Sequence, residues 1–182
     1  MTLNLRPLPE GVPALFDTVG APPRLRAHLT LVHDVACAIV DALEAKWPKL
    51  SYDRAAVLFG AATHDIGKAV HREELSGPGS QHEDVGSSLL LAHGVPDHLA
   101  RFARTHGPRC ADALTIEDLL VRLADAVWKG KRDDDLEKHL ANLVARQQGI
   151  AAWDAFMVLD DALGVIAGGA DERIAWQAGH AP

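Results

Sequence analysis

Between Pro22-Pro23 and Pro48 the chain runs without a helix breaker, and Leu25, Leu29, Val32, Ala36, Ile39, Val40 and Leu43 recur there at three- and four-residue steps. That period is the apolar face of a helix, and proline opens a helix readily but does not continue inside one. The span therefore predicts a long amphipathic helix from Arg24 to about Trp47. A second helix, capped by Ser51 or Asp53 and running to Thr63, carries Ala55, Ala56, Val57, Leu58, Phe59, Ala61 and Ala62 on nearly every side, the pattern of a central buried rod. Thirty alanines and twenty-four leucines, against four Trp, four Phe and one Tyr, favour helix over strand throughout. An all-α single domain is the expectation, and 182 residues suffice to bury its core.

Further helices follow from punctuation. Ser80 with Glu83 reads as a capping box opening a helix that Gly94 ends. Pro96 to His106 forms a short helix, and Thr115 with Asp118 is a second capping box, starting a helix to Lys129 that Gly130 stops. Helices over about 133–148 and 150–165 precede Gly168-Gly169 and a short terminal piece. Residues 1–23, with five prolines, read as an irregular lead-in. The helices of 133–182 are expected to pack on the core of 24–132 within the same domain.

The formal net charge of −7 argues against nucleic acid or anionic lipid as a partner unless a local cationic site overrides it. No apolar run approaches the length of a membrane span, and the first residues lack a signal-peptide pattern, so a soluble cytoplasmic protein is expected. Cys37 and Cys110 form no CxxC pair, which points away from a disulfide framework and from thiolate zinc.

The chemistry concentrates in histidine. The apolar second helix ends in His64-Asp65-Ile66-Gly67-Lys68. A carboxylate at the end of a buried rod costs several kcal/mol (about 3–5 if left unpaired), so it needs a cation, a hydrogen-bond network or a metal. An isolated His-Asp pair is more often a plain helix end, but three more candidate ligands follow it: His82 in HEDVG, His106 in ARTHG and Asp125 in LADAVWKGK. Gly86, one turn beyond His82, removes a side chain where close approach is needed, and Asp125 interrupts the apolar run of Leu119, Leu120, Leu123, Ala124 and Val127.

On these residues the sequence resembles the HD-domain metal-dependent phosphohydrolases over about residues 24–132. Their pattern is a histidine on the first helix, the His-Asp pair and a later aspartate, with two further histidines in the two-metal branch; His82 and His106 match those two. HDIGK, H-x-x-x-G and L-A-D together carry the resemblance, with a partial likeness to bacterial hydrolases that split diadenosine tetraphosphate symmetrically. The resemblance implies a helical bundle of the HD-domain type, with His64, Asp65, His82, His106 and Asp125 as metal ligands. Helix one offers two candidates for the first ligand, His28 and His33, which five residues, about 500° of helix, put on different faces. The family pattern has small apolar residues four and eight positions after this ligand, and Val32 and Ala36 stand there for His28, which is the expected first ligand; the shorter spacing to His64, 31 residues rather than 36, keeps His33 as the alternative.

Imidazole and carboxylate ligands without thiolate suit one or two divalent ions of Fe, Mn, Co, Ni or Mg. Asp65 is expected to bridge two such ions and a water activated for attack on phosphorus, with Lys68 stabilising the transition state. Lys129, Lys131 and Arg132 gather positive charge after Asp125, where the substrate's phosphate is expected. The substrate is then a small phosphorylated metabolite or nucleotide, with specificity set by loops 69–80 and 107–114. The alternative is a non-catalytic HD module binding a nucleotide or metal. Of the remaining histidines, those at 93, 98, 139 and 180 read as caps or solvated positions, while His71, one short step past HDIGK, reads as a solvated helix position with a substrate-facing one as the alternative.

Overall fold

The computed structural model describes residues 3–107 and 114–181, and among these every regular element is helical. Loop 107–114 and Cys110 therefore lie, apart from Gly107 and Leu114, outside the described residues. A short helix, α1 (Val12–Thr18), occupies the stretch expected to be irregular; Gly11, at φ 81°, turns the chain into it and Pro13 sits in its first turn. The long helix α2 (Pro23–Lys46) and the buried α3 (Arg54–Thr63) stand as expected, α3 capped by Asp53, whose carboxylate accepts from the Ala56 N–H at 2.9 Å.

After α3 two single turns of 3-10 helix, Ile66–Ala69 and Arg72–Leu75, lead to α4 (Gln81–Ala92). The segment expected to be one helix after Pro96 is two short ones, α5 (Asp97–Ala100) and α6 (Phe102–Thr105), meeting at Arg101. Then come α7 (Ile116–Val127), α8 (Asp134–Gln148), α9 (Ala152–Ala167) and α10 (Ala170–Ala178).

Two apolar clusters meet along α2. Leu25 and Leu29 belong to one, with Val12 and Phe16 of α1, Ile66, Leu90 and Ala103. Leu31, Val32, Val35, Ile39 and Leu43 belong to the other, with α3, α7, α8 and α9. His28, His64 and Asp65 lie along the seam, because the residues beside them on α2 and α3 divide between the two clusters. A polar group at such a seam is held by rigid packing on both sides, which is what a metal or substrate site needs.

Candidate metal centre

α2 and α3 supply the first half of the site. His64 follows the last residue of α3, and its Nδ1 lies 3.0 Å from the Ala61 carbonyl. A carbonyl only accepts, so Nδ1 carries the proton and Nε2 presents a lone pair. That Nε2 lies 3.6 Å from Asp65 Oδ2 and 3.7 Å from Asp125 Oδ1. His28 Nε2 reaches the same two oxygens at 3.1 and 3.5 Å. The His28 ring packs edge-on against Trp128, 5.1 Å between centroids, and Trp128 Nε1 donates to Asp125 Oδ1 at 3.2 Å.

The second half comes from α4 and α6. His82 and His106 place Nε2 3.1 and 3.2 Å from the other oxygen of Asp65, Oδ1. His106 Nδ1 donates to the Ala103 carbonyl at 3.0 Å, and His82 Nδ1 donates to the Glu74 carboxylate. Both Nε2 atoms therefore present lone pairs, and they face each other at 3.3 Å. Two lone pairs so close repel unless a proton or a cation sits by them. His28 Nε2, His64 Nε2 and Asp65 Oδ1 are also buried without a hydrogen-bond partner, an arrangement a bound cation relieves.

The donor set thus fits divalent metal: His28, His64 and Asp65 form one group able to hold an ion, and Asp65, His82 and His106 form another. Asp65 is common to both. Burial by itself would raise its carboxyl, but His64, His106, His28 and His82 around it hold it well below the usual range. Burial opposes the charge on Asp125 in the same way, and His64 and His28 lower it strongly.

The scaffold explains the placement of each ligand. Gly67 passes so close to α4 that a side chain there would strike the His82 carbonyl, and Gly86 faces it from α4 with Ala103 packed alongside. This pair of glycines brings the His-Asp turn against the helix that carries His82. His106 is held from the far side by the capping box of α7: Thr115 and Asp118 cap each other, and Asp118 also accepts from Arg101 at 2.6 Å and from the Thr105 hydroxyl at 2.7 Å. Arg122 donates to the Thr105 and Gly107 carbonyls, both at 2.6 Å.

Three expectations change. The Ser80–Glu83 capping box does not form; Glu74 caps α4 instead, accepting from Gln81 N and His82 N at 3.0 and 3.2 Å. A local motif gave way to a carboxylate that serves helix and histidine together. Arg132 does not face the site but pairs with both oxygens of Glu137 at 2.7 Å and with Asp160 at 2.8 Å, tying α8 to α9. Lys131 is exposed and lies outside the cavity lining. His33, the other candidate first ligand, is buried away from the centre, with Nε2 3.6 Å from Cys37 Sγ.

A cavity of about 390 Å³ opens over the centre. Lys68 and Lys129 line it as the sequence suggests, Lys68 2.5 Å from Asp65 Oδ2 and Lys129 3.5 Å from Asp125 Oδ2. Arg24, Glu83, Trp128 and Gln177 line it too, and no motif in the sequence marks them as site residues. Arg24 alone had a signal, one turn before His28 on the same helix face. Gln177 reaches the cavity from α10, which Arg173 fastens to the end of α7 through the Trp128 carbonyl at 2.8 Å.

The family model for the HD domain matches residues 26–128, more than half of the chain. The chain belongs to the HD-domain family. His28, His64, Asp65, His82, His106 and Asp125 all fall inside the matched span, and α8 to α10 follow it. No curated protein and no solved structure matches the chain. Among the described residues, no helix of this HD domain is long and apolar enough to cross a membrane.

Proposed function

We propose that this HD-domain protein is a metal-dependent phosphohydrolase acting on a small phosphorylated metabolite or nucleotide. The observation that carries the reading is the division of Asp65: Oδ2 goes to His28 and His64, Oδ1 to His82 and His106. Bound there, divalent ions supply Lewis acidity toward phosphate oxygens and lower the pKa of a coordinated water. His28, His64, Asp65 and Asp125 would hold one ion; His82, His106 and Asp65 would hold the other.

The chain's own residues do the rest. Lys68 and Lys129 face the cavity as ammonium groups and can hold phosphate oxygens, Lys68 next to the carboxylate at the centre. Glu74 keeps the proton of His82 on Nδ1, so Nε2 stays basic toward a cation. The cavity volume lies toward the low end of small-molecule sites, roughly 300–1,000 Å³, which suits a compact phosphorylated compound better than a polymer.

The test is turnover. Protein reconstituted with Mn, Co, Ni or Mg is incubated with p-nitrophenyl phosphate, nucleoside mono- and polyphosphates, dinucleoside polyphosphates, cyclic nucleotides and single-stranded DNA. The expected result is phosphate release from small substrates, none from DNA, and loss of activity in folded Asp65→Ala. Retained metal and nucleotide binding without turnover of any compound would make the protein a binding module instead.

A further inference from the structure

We propose that the substrate carries a second anionic group, separated from the reacting phosphate, and that Arg24 binds it. This rests on the phosphohydrolase reading and names the substrate class for the same cavity. Three cationic side chains line that cavity. Lys68 is matched by Asp65 and Lys129 by Asp125, carboxylates that belong to the centre itself. Arg24 has no carboxylate partner and no side-chain hydrogen bond among the described residues, whereas Arg6, Arg26, Arg54, Arg101 and Arg132 each pair with an aspartate or glutamate.

Arg24 is half-buried, and a guanidinium with its fork unused is set for a planar or tetrahedral anion, which it grips through two parallel N–H donors. Its position sets the reach. Arg24 precedes His28 by one helical turn, roughly 5–6 Å along α2, on the same face. The backbone there is anchored, since the Arg24 N–H donates to the Ala181 carbonyl at 2.9 Å, and Gln177 of α10 adds an amide to the same wall. An anion on Arg24 thus sits beside the metal centre without sharing it. The second group is a phosphate or a carboxylate, since both fit the fork.

Calorimetric titration of Mn-loaded protein with non-hydrolysable probes tests this without turnover. Propylphosphonate carries one anion, propane-1,3-bisphosphonate a second phosphonate and 3-phosphonopropanoate a carboxylate. The wild type is expected to bind at least one of the two-anion probes about tenfold or more tighter than propylphosphonate, the better one identifying the second group. Arg24→Gln should erase that preference and keep propylphosphonate affinity within twofold; Arg24→Lys should keep part of it. Equal binding of all three probes by the wild type, or an undiminished preference in folded Arg24→Gln, overturns the proposal. A protein that shows the preference but no phosphatase activity would instead defeat the phosphohydrolase reading and leave the Arg24 site standing.

Discussion

Glu74 holds His82 twice, accepting from its backbone N–H at 3.2 Å and from its imidazole Nδ1, so one buried carboxylate both caps α4 and sets the tautomer of a candidate ligand. The two roles separate in a variant. Glu74→Gln keeps a cap acceptor but offers Nδ1 a neutral amide. Metal affinity of the His82–His106 group should fall about 10–100-fold, while thermal stability changes by only about 1 kcal/mol. Calorimetry with Mn or Co and a melting curve read the two effects independently; unchanged affinity would leave Glu74 as a cap alone.

Gly67 and Gly86 set the distance between the His-Asp turn and α4. Gly67→Ala places a methyl against the His82 carbonyl and the Gly86 N–H, backbone atoms that cannot swing away. The expected cost is about 1–3 kcal/mol or more, with reduced metal binding, whereas alanine at Gly94 should not reduce metal binding, because its added methyl meets no neighbouring atom even though its positive φ brings local strain. Denaturant melts of the two variants, with metal content alongside, check this. Full metal content in Gly67→Ala would show that the close approach is not required.

Much of this was legible in the sequence because it is local. The periodicity of α2, the apolar rod of α3 and the Thr115–Asp118 box all depend on residues within a few positions of one another, and all formed. So did the convergence of the His-Asp pair with His82, His106 and Asp125, which the family pattern implied. What failed depended on carboxylates outside the local motif. Ser80 lost its cap to Glu74, and Arg132 was taken by Glu137 and Asp160, the latter 28 residues away. Helix α1 escaped because 1–23 is rich in proline and has no sustained period, yet Val12 and Phe16 bury against α2 and α3. Gln177 could not be read at all, since only the fold of α10 over α2 brings it to the cavity.

His28 and His33 separate by function. His28→Ala should lower metal occupancy of the first group, while His33→Ala should keep metal and lose stability, because His33 is packed in the core beside Cys37. Metal analysis of both purified variants decides it; full occupancy in His28→Ala contradicts the placement.

His33 also gives a pH dependence. Burial pushes its folded pKa down to about 4 from an ordinary 6.5. As pH falls below 6.5 the unfolded chain takes up the proton first, so the fold loses stability between pH 6.5 and 4 and is unaffected by this group above that window. The loss is bounded by about 3 kcal/mol. In His33→Gln the slope of stability against pH across that window should flatten relative to wild type; an identical slope in urea melts at pH 6.5, 5.5 and 4.5 would show that His33 does not titrate so.

Sharing of Asp65 between both imidazole pairs is tested most directly by counting metal ions per chain, by plasma mass spectrometry after saturation with Mn and removal of excess. Two ions per chain are expected in the wild type, about one in His82→Ala, and none in folded Asp65→Ala. An Asp65→Ala protein that keeps its full metal complement would contradict the account.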